Sequence, residues 1–69
     1  MNREQLKQAI EDLDSVALLA DETSDRLHQA KHRTDDVDAA EAMADAAERA
    51  SQAWVHATAA ARILRGIKP

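Results

Sequence analysis

The feature that most limits the fold is the absence of glycine and proline from Met1 through Arg65. These two residue types break helices most strongly, and this chain confines them to Gly66 and Pro69. The residues in between are rich in alanine, glutamate, glutamine, leucine and arginine, which are strong helix formers. No segment alternates apolar and polar residues with the period of two that marks a half-buried strand. The sequence therefore predicts an all-α protein.

Apolar residues recur in two heptad seams, one in each half of the chain. The first advances in alternating steps of four and three through Leu6, Ile10, Leu13, Ala17, Ala20, Ser24 and Leu27. The second follows the same steps through Ala39, Met43, Ala46, Ala50, Ala53, Ala57, Ala60, Leu64 and Ile67. A flanking row broadens the second seam, formed by Ala40, Ala47, Trp54 and Ala61. Such seams are typical of helices that pack lengthwise against one another.

The two seams are out of phase, which indicates a break in the chain. If the first seam continued past Leu27 in one long helix, that helix would point four acidic residues into its own core: Asp38, Glu41, Asp45 and Glu48. Because burial of unpaired charge is prohibitively costly, we expect the helix to end between about Arg33 and Asp36. Thr34 is a suitable N-cap for a second helix.

Two long helices joined by a short turn must lie antiparallel. The sequence therefore predicts one domain, residues 1–69, built as a hairpin of helices at about 3–33 and 35–65. Asn2 and Gln5 have the spacing of a capping box at the start of the first helix. Gly66 is placed to end the second helix in a left-handed cap. Thr23 and Ser24 mark a weaker break, which leaves three helices as an alternative.

The composition favours assembly of this hairpin with another chain. Sixteen of the 69 residues are alanine, so few large apolar side chains are available for a core, and chains of this size bury little surface on their own. We expect the hairpin to pair into a four-helix bundle, as a homodimer or with a helical protein partner. The predicted interface consists of surplus apolar residues: Leu18, Leu19, Trp54, Val55, Ala59, Ile63 and Ile67. Trp54, the only aromatic residue, either fills the core or anchors that interface.

In its helix–turn–helix outline the chain resembles the Rop family of plasmid copy-number regulators, whose hairpins pair into four-helix bundles. It is also similar in size and shape to the hairpin co-chaperones of type III secretion needle subunits. Both resemblances concern architecture, and no functional residue is carried over from either family. They imply a regulator that binds RNA or a chaperone with a helical protein partner.

Three clusters of polar residues are candidate functional sites. Asp25, His28 and His32 share one helical face and have the spacing of metal ligands, but two exposed histidines near a polar turn are the simpler interpretation, and no metal or other cofactor is predicted. The acidic stripe of Asp38, Glu41, Asp45 and Glu48 is interpreted as a solvated surface. As an alternative, this acidic rod imitates nucleic acid, as phage-encoded inhibitors of host defence do. The third cluster is basic and lies at the open end of the hairpin: Arg3, Lys7, Arg62, Arg65 and Lys68.

The remaining features argue against catalysis, nucleic-acid binding and membrane insertion. The chain lacks a glycine-rich loop, cysteine and any spacing of a catalytic triad, so a non-enzyme is predicted. A net charge of −4 disfavours binding to phosphate backbones. The longest apolar run, residues 16–20, is too short to span a bilayer. The charged N-terminus does not resemble a secretory signal. We therefore expect a cytoplasmic interaction protein that acts as an adaptor, regulator or inhibitor.

Overall fold

The chain folds into an antiparallel hairpin of two long helices. The computed structural model describes residues 2–67, none of which lies in a strand. Helix α1 spans Arg3–Arg33 and helix α2 spans Val37–Arg65, with 31 and 29 residues. The all-α hairpin and its break after Arg33 are confirmed. Because α1 continues unbroken through Thr23 and Ser24, the three-helix alternative is wrong.

The hydrogen bonds at the first helix end match the prediction. The Asn2 side chain accepts a hydrogen bond from the backbone N–H of Gln5 at 2.8 Å, and the Gln5 side chain accepts one from the backbone of Asn2 at 3.2 Å. This capping box supplies a partner to an amide that the helix itself leaves unpaired. It therefore fixes the start of α1.

The turn differs from the prediction, because Asp36 rather than Thr34 caps α2. The Asp36 carboxylate accepts hydrogen bonds from the backbone N–H groups of Asp38 at 3.0 Å and Ala39 at 3.2 Å. A carboxylate beside the positive end of a helix dipole is a stronger cap than a hydroxyl. Thr34 instead ends α1, and its hydroxyl accepts a hydrogen bond from the Asp36 amide. The second helix therefore begins two residues later than expected.

The left-handed cap predicted at Gly66 is wrong. Gly66 has φ −78° and ψ −10°, a right-handed conformation. Its N–H donates to the carbonyl of Ile63 at 3.1 Å, and the N–H of Ile67 donates to the carbonyl of Leu64 at 3.1 Å. These i→i−3 bonds tighten the last turn and supply donors to its carbonyls without a positive φ.

The cap on α2 gives a direct test of the turn. Replacing Asp36 with alanine should lower the free energy of unfolding by about 1 kcal/mol, because two backbone amides lose their acceptor. Thermal unfolding followed by circular dichroism measures the change. Asp35→Ala is the matched control, since this neighbouring aspartate is exposed and does not cap the helix. Equal effects of the two substitutions would contradict the assignment of the cap.

The two helices meet along a line of small side chains. The buried residues are Leu6, Ala17 and Ser24 in α1 and Ala47, Ala57 and Ala61 in α2. Every residue of the predicted α1 seam is buried or half-buried. The α2 seam is rotated from its predicted position, because Ala47 and Ala61 are 0% exposed whereas Ala46 and Ala53 are exposed. Ala47 and Ala61 of the flanking row therefore face α1, and their small side chains let the helix axes come together.

Candidate interaction surface

The hairpin leaves most of its large apolar side chains incompletely covered. Among residues 2–67 no large side chain is fully buried, and Leu6 is the largest apolar residue in the core. The molecule is a rod of 52 × 13 × 12 Å, and its accessible surface is 5316 Å². A compact monomer of 7.6 kDa would expose about 4,300 Å². The rod thus exposes about 1,000 Å² more than a compact monomer of its mass.

All seven residues predicted to form the interface are exposed. Leu18 and Leu19 are 59% and 62% exposed, Ile63 is 69% exposed, and Trp54 retains 44% of its surface. The others are Val55, Ala59 and Ile67. Exposed apolar surface of this extent is typical of an interaction site. Val16 is also exposed, at 51%, although it is not among the predicted interface residues.

One ion pair identifies the two broad faces of the hairpin. The Arg65 guanidinium donates a hydrogen bond to the carboxylate of Asp14, and both side chains are about half exposed. The pair therefore bridges α1 and α2 across one face. Helical periodicity places the residues four positions after Asp14 and three before Arg65, Leu18 and Arg62, on this same face. We refer to it as the ion-pair face.

The opposite face carries most of the other exposed apolar side chains, interrupted in α2 by Arg49 and His56. In α1 it includes Val16 and Leu19, with the half-buried Leu13 and Leu27 at its inner edge. In α2 its members come from two heptad rows, the row of the predicted seam that contains Ala53 and the row that contains Ile63. We define the apolar face by these exposed members of both helices: Val16, Leu19, Ala42, Ala46, Ala53, Ile63 and Ile67.

The predicted interface residues consequently do not form one patch. Leu19, Ile63 and Ile67 belong to the apolar face, whereas Leu18 lies on the ion-pair face. Trp54 belongs to the same heptad row as Ala47 and Ala61, and it lines a shallow cleft of about 180 Å³ on the ion-pair face. The residues that line this cleft are Trp54, Val55, Thr58, Ala59 and Arg62. The hairpin thus has two apolar regions on opposite sides.

A polar contact crosses the centre of the hairpin. The buried Ser24 hydroxyl lies 3.2 Å from the carbonyl oxygen of Ala47 and 2.9 Å from the Ser51 hydroxyl. Among residues 2–67, no buried side-chain polar atom lacks a hydrogen-bond partner. The contact fixes which residues of α1 and α2 lie at the same height along the rod.

The histidine cluster and the acidic stripe, two of the candidate sites in the sequence, lie at the surface. Asp25, His28 and His32 are exposed, and no group of three or more His, Asp or Glu side chains within residues 2–67 is arranged to hold a metal ion. The acidic stripe of α2 is exposed as expected, and its Asp45 pairs with Arg49 at 3.5 Å.

In the basic cluster at the open end, Arg65 is paired with Asp14, and Lys68 lies outside the described residues. A second shallow cleft of about 230 Å³ lies beside the turn. No helix within residues 2–67 is long and apolar enough to cross a membrane.

Comparisons of the chain with protein-family models, with curated proteins and with solved structures found no match.

Proposed function

We propose that this chain is a non-enzymatic interaction protein, a helical hairpin that forms a homodimer and acts on another macromolecule as an adaptor, regulator or inhibitor. The observation that carries the proposal is the surplus apolar surface. The rod's excess of about 1,000 Å² over a compact monomer, polar and apolar surface together, is of the same order as the roughly 800 Å² that each partner buries in a standard protein interface. A core of alanines, one serine and one leucine makes the hairpin dependent on such burial.

The two apolar regions support a protein that makes more than one contact. A dimer interface occupies one side of the rod, and the cleft beside Trp54 on the other side stays accessible to a partner. Tryptophan is enriched among the residues that contribute most to protein binding. We propose the cytoplasm as the compartment, in keeping with the cysteine-free and acidic composition.

Assembly is tested by the dependence of folding on protein concentration. Sedimentation equilibrium at micromolar concentration should give twice the mass of the chain. If folding requires dimerisation, each tenfold increase in concentration should raise the free energy of unfolding by about 1.4 kcal/mol per dimer. A well-folded monomer whose unfolding midpoint is the same at all concentrations would contradict the proposal.

Nucleic-acid binding is the competing function class. We expect no shift of a short RNA hairpin on a native gel at low salt, because the net charge is −4 and Arg65 is engaged by Asp14. A shift that weakens as salt is added would favour an RNA-directed regulator instead.

A further inference from the structure

We infer that the apolar face closes against the same face of a second copy, with the open end of one hairpin lying over the turn of the other. This arrangement rests on the proposed homodimer and adds which surface is buried and in which orientation. It follows from the position of the exposed residues, the heptad pattern around the middle of each helix and the charges at the edge of the face.

The apolar face, rather than the ion-pair face, is assigned to the dimer interface because of the side chains that each of them exposes. The ion-pair face carries Asp14, Arg65 and Arg62 at its open end, and the acidic stripe continues along its α2 edge. Desolvating these groups would oppose association. The apolar face offers alanines, valine, leucine and isoleucine over most of the rod. Its charged side chains stand in its two outer rows, and none lies in the inner rows that contain Val16 and Ala53.

The middle of the apolar face lies at the same height along the rod in α1 and in α2. The Ser24 hydroxyl contacts both Ala47 and Ser51, so Ser24 lies level with the residues between them. Because the helices are antiparallel, Leu19, five positions earlier, lies level with about Ala53. Leu19 is also close to the midpoint of α1, which spans Arg3–Arg33. A twofold axis perpendicular to the rod at this height would place Leu19 next to Leu19 of the second copy and Ala53 next to Ala53 of the second copy.

Charges on α1 favour this orientation. Asp12 and Arg26 lie seven residues before and after Leu19, in the same heptad row, and both are exposed. A twofold axis near Leu19 therefore sets Asp12 of one copy beside Arg26 of the other, twice per dimer. If the open ends of the two hairpins lay at the same end of the dimer, Arg26 would instead lie near Arg49 of the second copy. Exposed charges of this kind select orientation more than they add affinity.

Side-chain sizes on α2 agree with the same axis. The row through Ala53 contains Ala46 and Ala60 seven residues to either side and Ala39 and Ile67 at fourteen. The axis pairs Ala46 with Ala60 and the small Ala39 with the larger Ile67. Complementary volumes at facing positions let two helices approach without voids.

The choice of face is tested with two matched substitutions. Ala53→Glu should weaken dimerisation about a hundredfold, because it places two carboxylates together in the buried centre. Ala59→Glu makes the same change in the same helix at an exposed site on the ion-pair side, and should leave dimerisation unchanged. Circular dichroism checks that both variants remain helical, and sedimentation measures the association. Loss of the dimer in Ala59→Glu with retention in Ala53→Glu would overturn the assignment of the face.

The orientation is tested by disulfide formation in a chain that has no cysteine of its own. Under mild oxidation, Leu19→Cys should form a covalent dimer with itself. In the opposite orientation, α1 would lie over α2 of the second copy. Leu19→Cys would then cross-link to Ala53→Cys in a mixture, and neither variant would cross-link to itself. That result would overturn the orientation while the homodimer stood. A monomeric wild type would instead remove the proposed function itself.

Discussion

Replacing Ala47 with leucine is expected to lower the free energy of unfolding by about 1–3 kcal/mol, the usual cost of forcing extra methylenes into a packed contact. Ala47 is 0% exposed, and its carbonyl oxygen accepts the hydrogen bond from Ser24. A larger side chain would push the helices apart at this fully buried position. The helices would separate along a whole stretch of the rod, because both are rigid over many turns.

Ala59→Leu is the control for this prediction. It adds the same atoms at an exposed alanine of the same helix, so the free energy of unfolding should change by less than about 0.5 kcal/mol. Chemical denaturation at one protein concentration compares the two variants. If Ala47→Leu were as stable as the wild type, the helices would not be in close contact at this position.

Replacing Leu6 with alanine should destabilise the hairpin by about 2–3 kcal/mol, near the lower end of the range for buried leucine. Leu6 is 6% exposed and is the largest apolar residue of the core among those described. The low end of the range is expected because Leu6 lies in the second turn of α1, where the chain end can relax into the space. Without this side chain, the open end of the hairpin would lose its main apolar contact.

The matched variant is Leu18→Ala, a leucine in the same helix that is 59% exposed. It should cost less than about 1 kcal/mol, because little of its surface leaves water on folding. Leu18 lies on the ion-pair face, so the comparison is not affected by burial in the inferred dimer. Equal destabilisation by the two substitutions would contradict the burial of Leu6.

The heptad seams and the capping box at the start of α1 predicted most of this fold. The conflict between the extended first seam and the acidic residues of α2 located the turn, because it depends on the large free-energy cost of burying charge. Asn2 and Gln5 predicted the first cap for a similar reason, since a local side-chain pattern alone determines it. Such features need no knowledge of the packing between helices.

The rotation of α2 could not be obtained in the same way. Ala46 and Ala47 both belong to rows of alanines at heptad spacing, so hydrophobicity does not distinguish the two positions. The choice between them depends on how closely α1 can approach, which is a property of the packed pair. Leu18 and Leu19 differ in this respect, because the α1 seam was predicted correctly and helical periodicity alone places these two residues on opposite sides of it.

The cap at Asp36 shows a second limit. Thr34, Asp35 and Asp36 are all acceptable N-caps by residue type, and the end of α1 decides which of them is free to act. Once Thr34 has closed α1, the first residue with a side chain directed at the free amides of α2 is Asp36. Helix boundaries within a turn of three residues are therefore set jointly by both helices.

The contact between Ser24 and Ser51 has a consequence for the uniqueness of the fold. Rows of identical methyl groups would let one helix slide by seven residues and still find matching neighbours. Such a slide would replace Ser51 beside Ser24 either with Ala44, which offers no hydroxyl, or with Thr58, and in the second case the indole of Trp54 would take the place of the Ala47 methyl group. The contact between the two serines and the bulk of Trp54 together therefore select one alignment among several of nearly equal energy.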